Sequence, residues 1–581
     1  MNIPWVSRST PTMASSTASI LFNGERAVVF LFVARVLFSI PSSLFREAVA
    51  LVVLALAGLF VEISVDTSMP FTQFKTRAGV SSGLLLGAVT LPTVVISKLI
   101  QLWRAFLLNE VGLEELDYLK VQYWVTSVGC FAVLVFLFFV IRWSSRPSSC
   151  SSFCSSWYPK IMLCCMLVYS TFCCMSLATR TQDGMQTALN LLWVLCHGFA
   201  AVKLILHLLH KFPSCASIGE ALLVTAGLIC YFGDMLAYTI SKVQRNFLTP
   251  AFAFDYGIKR SEISVIIQGM LVGLLLFPVL AVPITKLWGC FIRLTSFRAF
   301  SHNEIHRALI FYTSLSFLLI LIIPSWMQFV HNFPVHPLLW VFMFVFSDPS
   351  KRLSLCFYWV AVICVSVVRF YNISKNSKIQ RILLRKYYHL MAVSMFVPAL
   401  IFQPKFLDLA FGVALAVFLV LEIIRVWKIW PLGPLVHQFM NAFTDHRDSE
   451  LLIVSHFSLL LGCALPIWMS SGFNDRPLAP FAGILSLGIG DTMASVVGYK
   501  YGVLRWSKTG KKTVEGTAAG ITSVLAACFV LLPLLASTGY ILTQHWVSLF
   551  VAVTASGLLE AYTAQLDNAF IPLVFYGLLC L

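Results

Sequence analysis

The chain has 581 residues, of which 59% are hydrophobic and 11% charged. A soluble globular protein carries roughly 25% charged residues, so a soluble enzyme is excluded and a polytopic membrane protein follows. A net charge of +16 ordinarily points to nucleic acid. Here the basic residues sit in short loops between apolar runs, so topological signals and contacts with anionic phosphate are expected instead, and no nucleic-acid partner.

The apolar runs are continuous, as in Leu51–Phe60, Phe131–Ile141 and Phe317–Ile323. An outer-membrane barrel would alternate apolar and polar residues. Helices satisfy their own backbone hydrogen bonds in lipid, so the fold class is an all-α bundle with no soluble domain.

In chain order, a Ser- and Thr-rich tail over 1–26 reads as disordered. Spans follow near 27–41, 47–66, 79–100, 123–141, 160–178, 187–208, 219–240, 262–286, 308–328, 338–347, 354–368, 388–403, 407–424, 452–470, 480–498, 515–535, 543–562 and 568–581. A crossing takes about 20 residues and several runs are short, which leaves about 15 crossings. Residues 27–370 form an N-terminal bundle, and residues 371–581 a C-terminal region that carries the chemistry. The 16 cysteines read as small hydrophobes rather than a disulfide framework. GDMLA at Gly233–Ala237 faintly echoes GDTMA at Gly490–Ala494. Asp234 would be costly in lipid and is expected to face other helices or water.

The C-terminal loops show a parity. Loop 369–387 holds Arg369, Lys375, Lys378, Arg381, Arg385 and Lys386. Two spans later, loop 425–451 holds Arg425, Lys428 and Arg447, and after two more, loop 499–514 holds Lys500, Arg505, Lys508, Lys511 and Lys512. Two further spans lead to Glu560–Asp567. Helices come in pairs, so these places share one face, which is cytosolic under the positive-inside rule. The parity gathers RKYYH at Arg385–His389, Glu422, Arg425, Asp445 to Asp448, the Asp491–Glu515 block, Glu560 and Asp567 into one candidate site.

WSKTGKKT, Trp506–Thr513, places three lysines within five positions. Lysine is a compact point charge suited to phosphate oxygens. Thr513 is a candidate N-cap for the apolar helix that follows, which would aim its amides and positive dipole end at an anion. Gly510 allows close backbone approach, and Gly516 allows either that or helix packing. A P-loop requires G-x-x-x-x-G-K-[ST] between strand and helix. Here Arg505 occupies the first glycine position and Lys512 the last, so a Walker-type NTPase is rejected. Asp491 is a carboxylate inside an apolar run, with Gly488 and Gly490 pointing to a broken or closely packed helix. Mg²⁺ takes one or two carboxylates plus substrate phosphates, which Asp491, Glu515 and Asp567 would supply. The proton acceptor for an alcohol falls on Asp491, Asp567 or His389.

GDTMASVVGYKYG, TGKKTVEGTAAG and EAYTAQLDNAFIPL, with RKYYHLMAVSMFVPALIF, LEIIRVWKIWPLG and DHRDSELLIVSHFSLLLGCALPIW before them, resemble the polyprenol kinase family, and its dolichol kinase members most closely. The resemblance covers roughly residues 380–581. It implies CTP-dependent phosphorylation of the terminal hydroxyl of dolichol at the endoplasmic reticulum membrane, giving the dolichyl phosphate used in protein glycosylation. By motif match, the nucleotide-binding loop falls within 499–522, on Lys508, Gly510, Lys511, Lys512, Thr513, Glu515, Gly516 and Thr517, with Asp491, Lys512, Glu515, Asp567 and His389 as catalytic candidates. The same arrangement is similar to the phosphatidate cytidylyltransferases. Phytol and farnesol kinases, or a transporter with half-helices meeting at midplane, are the other readings. Glu450 departs from the small residue that the family pattern places there.

Overall fold

Continuous apolar sequence has one solution in lipid, and the chain adopts it. A computed structural model describes residues 23–67, 81–144, 157–178, 184–212, 215–247, 260–294, 304–376, 381–441, 452–506, 511–539 and 545–581. These residues are helical nearly throughout, and the one extended pairing among them is a bridge between Arg505 and Thr513. The first helix among the described residues starts at Gly24, ahead of the expected span at 27. Residues 1–22 of the expected tail lie outside the described residues.

Among the described residues, eleven helices are long and apolar enough to cross a membrane, from Ser42–Asp66 to Val514–Ser537. The protein is therefore a polytopic all-α membrane protein, and the count of about 15 crossings is not confirmed. Five of the expected spans fall on shorter apolar helices: Pro337–Phe346, Lys386–Phe402, Phe457–Met469, Trp546–Tyr562 and Asp567–Leu579. Asp567–Leu579 shows the physical reason. Its 13 residues extend about 20 Å, against a hydrocarbon layer of about 30 Å. Every residue from Phe570 to Leu579 is buried, so the helix is apolar all round because protein surrounds it.

Leu84–Leu107, buried along nearly its whole length, packs against Asp567–Leu579. One hydrophobic core thus runs from Val28 through Val89 to Leu581. A second core joins Ile263–Phe333 to Leu409–Ile429. Both cores cross residue 370, so N-terminal helices form part of the scaffold around the C-terminal region. Asp234 faces other helices: it accepts from Arg260, from the Tyr118 hydroxyl and from Gln268 Nε2 at 2.8 Å.

Candidate active site

The segment before Asp491 is wound as a π-helix over Ile484–Asp491, followed by an α-helix over Thr492–Tyr501. π-Winding is rare and recurs at functional sites. Here it carries an apolar run through Gly488 and Gly490 without breaking it. A Cβ on Gly488 would collide with the Val393 side chain and sit 3.3 Å from the His389 carbonyl. The missing side chain therefore lets helix Arg381–Phe402 approach closely, and that approach delivers two basic residues to Asp491. Lys386 Nζ forms an ion pair with Asp491 Oδ2, and His389 Nδ1 lies 3.2 Å from the same oxygen and 3.3 Å from the Leu487 carbonyl. Asp491 is 4% exposed.

Helix Thr492–Tyr501 then packs on Val514–Ser537 through small residues. A Cβ on Gly516 would meet the Ala494 carbonyl at 2.6 Å, and one on Gly520 the Gly490 carbonyl at 3.0 Å. This close crossing folds the intervening loop back on itself. Trp506 N–H donates to the Lys512 carbonyl (3.2 Å) and Val514 N–H to the Leu504 carbonyl (2.8 Å). Lys512 then reaches a different element: its Nζ donates to the Glu560 carbonyl, to Asp567 Oδ2 at 3.3 Å and to the Thr563 carbonyl at 3.4 Å. Burial disfavours the Lys512 charge, but Asp567, Glu560 and Asp491 outweigh it and hold the amine above its ordinary range.

Four separate stretches of sequence therefore supply one polar cluster: Lys386 and His389, then Asp491, then Lys512, then Glu560 and Asp567. Lys386 and Glu560 both belong to the candidate site that the parity gathers, and they enlarge the set of expected catalytic residues.

The nucleotide-loop residues divide by role. Thr513 is the N-cap of Val514–Ser537, its Oγ1 accepting from Gly516 N–H at 3.2 Å. Thr517 Oγ1 accepts from the Trp506 indole at 2.9 Å and donates to the Thr513 carbonyl. With the Val514, Gly516 and Thr517 amides already engaged, this helix end offers its dipole to an anion but few free donors. Glu515 accepts from Leu504 N–H at 2.9 and 3.2 Å and ties the loop together at its solvent-exposed side. Lys511 is exposed. Lys508, Gly510, Glu450 and Asp445 to Asp448 lie outside the described residues. Glu422 and Arg425 form a buried pair at 2.7 Å, and Glu422 also accepts from Ile453 N–H; this pair anchors the start of helix Val454–Met469 rather than joining the cluster. Thr513→Ala removes the cap and is expected to destabilise the protein by about 1 kcal/mol, read as a lower unfolding temperature in detergent.

The dolichol kinase family model matches residues 186–464. Over 569 residues the chain is 60% identical to dolichol kinase EVAN of Arabidopsis thaliana, covering 97% of this chain and 100% of that one. The chain belongs to the dolichol kinase family. It is also 33% identical over 389 residues to the dolichol kinase of Homo sapiens, covering 64% of this chain and 66% of that one. With the Saccharomyces cerevisiae dolichol kinase the identity is 31% over 244 residues, covering 41% and 43% of the two chains. No solved structure matches it.

A site that takes the CTP implied by the resemblance must accommodate a triphosphate, and its metal chemistry can be tested against the side chains. Among the described residues, no three His, Cys, Asp or Glu side chains converge to hold a metal unaided. Mg²⁺ does not need three, because waters and substrate phosphates fill most of its shell. Asp567 Oδ1 is buried without a hydrogen-bond partner, which leaves one ligand atom available beside Lys512.

Proposed function

We propose that this chain transfers the γ-phosphoryl group of CTP to the terminal hydroxyl of dolichol or a related polyprenol, at a cytosol-facing site in the endoplasmic reticulum membrane. The observation that carries this reading is the meeting of Lys512 with Glu560 and Asp567, beside the Lys386–Asp491–His389 group, in a member of the dolichol kinase family.

Phosphoryl transfer asks the protein mainly for positioning and electrostatic stabilisation. Lys512 and the exposed Lys511, with Lys508, bind the phosphates as point charges, and the dipole of Val514–Ser537 adds to them. Lys386 is fixed by Asp491, so its charge stands ready without reorganisation. Asp491 and Asp567 would hold Mg²⁺, which supplies neutralising charge to the triphosphate when bound. The lipid tail stays in the bilayer and only the hydroxyl end enters the cluster. Thr513, Gly516 and Glu515 shape the loop that presents the lysines.

Membranes containing the protein, incubated with dolichol and CTP labelled at either the α or the γ phosphorus, test the reading. Label in the lipid product is expected from γ-labelled CTP only. Retention of the α label in the lipid would identify a cytidylyltransferase instead.

A further inference from the structure

Phosphoryl transfer to an alcohol requires a group that takes the hydroxyl proton, and the sequence offers Asp491, Asp567 or His389. The structure engages an atom of each. Asp491 Oδ2 is shared by Lys386 and His389. His389 Nδ1 is directed at that carboxylate and at the Leu487 carbonyl. Asp567 Oδ2 is held by Lys512, and its remaining oxygen is the buried atom suited to a cation.

Glu560 differs from these. Lys512 contacts its backbone carbonyl, not its carboxylate. Among the described residues, the Glu560 carboxylate makes no hydrogen bond and no ion pair. Yet Lys512, Asp491, Asp567 and Lys386 all lie near enough to act on it electrostatically, so it sits inside the cluster. Its position on the chain also matters. Glu560 is in the last turn of the apolar helix Trp546–Tyr562, where a lipid acceptor would be presented, whereas Lys511 is exposed to solvent.

Resting on the kinase reading, we propose that Glu560 is the catalytic residue that accepts the hydroxyl proton of the lipid acceptor. As the acceptor oxygen forms its bond to the γ-phosphorus, the O–H proton passes to the Glu560 carboxylate. The bond from the γ-phosphorus to the bridging oxygen breaks, and CDP leaves with the electron pair. The proton then returns to solvent. The other charged groups around Glu560 have separate tasks: Lys512 and Lys386 face phosphate, while Asp491 and Asp567 hold those lysines in place and keep an oxygen for the metal.

Glu560→Gln is nearly isosteric and keeps the backbone carbonyl that binds Lys512. In purified full-length protein with CTP, Mg²⁺ and a polyprenol, it is expected to lower kcat by about a hundredfold or more. The KM for CTP and the Mg²⁺ concentration at half-maximal rate should stay within about twofold of wild type. Wild-type kcat should rise with pH along a one-proton limb that the variant lacks. Turnover within about threefold of wild type, or turnover restored by added Mg²⁺, overturns the proposal; the latter would make Glu560 a metal ligand. Should Glu560→Gln not reach the membrane, Glu560→Ala is judged by the same thresholds, with binding of CTP to the purified protein as the check on folding. The α/γ label experiment on wild type stands apart: its failure removes the kinase reading, whereas failure here removes only the role of Glu560.

Discussion

Lys512→Ala is expected to abolish transfer from CTP while the protein still reaches the membrane. The amine ties the loop after Trp506 to the turn between Glu560 and Asp567, through two carbonyls and one carboxylate. Removing it takes away a phosphate-binding charge and unfastens that turn. Loss of one preorganised group that stabilises developing charge typically costs about 10²–10³ in kcat, or about 2.7–4 kcal/mol. Lys512→Arg should not rescue. A guanidinium is planar and forked, and the three oxygens around Lys512 are arranged about a point charge. Lys512 also lies in the loop outside the spans. Burial opposes its charge, but Asp567 above all holds the amine over its ordinary value of 10.5. A raised lysine contributes its ion-pair stability fully below the ordinary value and loses it only as pH rises through the folded value. The loop should therefore stay fastened from about pH 6 to about pH 10, and any change in turnover across that range must come from another group. Labelled-CTP assays at matched expression, run across that range, check both statements.

Counting helices in pairs puts Lys386, Asp491, Lys512 and Asp567 near one another, and these side chains do meet in one cluster. What the sequence hid was local. Gly488 and Gly490 signalled a broken or close-packed helix, but nothing in the residue pattern distinguishes π-winding from a break. Thr513 was legible as a cap because the reason is a side-chain oxygen three residues before an amide. The engagement of the Val514 amide was not, since its partner, the Leu504 carbonyl, comes from backbone pairing across the loop. Glu422 and Arg425 look like site residues by face and charge, yet a carboxylate three residues before a guanidinium on one helix satisfies it locally. Lys386 shows the converse: its pairing with Asp491, 105 residues away, depends on a helix crossing that a single sequence does not encode visibly.

Asp491→Asn should eliminate activity and also weaken the fold, and the two effects are separable. Asp491 is buried, and the side chains of Lys386 and His389 that bind it are 16% and 10% exposed. Changing the carboxylate to an amide leaves a mostly buried ammonium without its counter-charge. Breaking a buried pair in this way costs about 3–5 kcal/mol, whereas replacing both partners by uncharged groups of similar volume is often neutral. The double variant Lys386→Met with Asp491→Asn should therefore unfold at a temperature closer to wild type than Asp491→Asn alone, measured in detergent. If the pair served only the fold, the double variant would also regain turnover. Because the proposed site uses Lys386 on phosphate and Asp491 on the metal–nucleotide, turnover should remain lost. Recovered stability with recovered activity would reduce both residues to a structural ion pair, and recovered stability without activity places the pair in the chemistry.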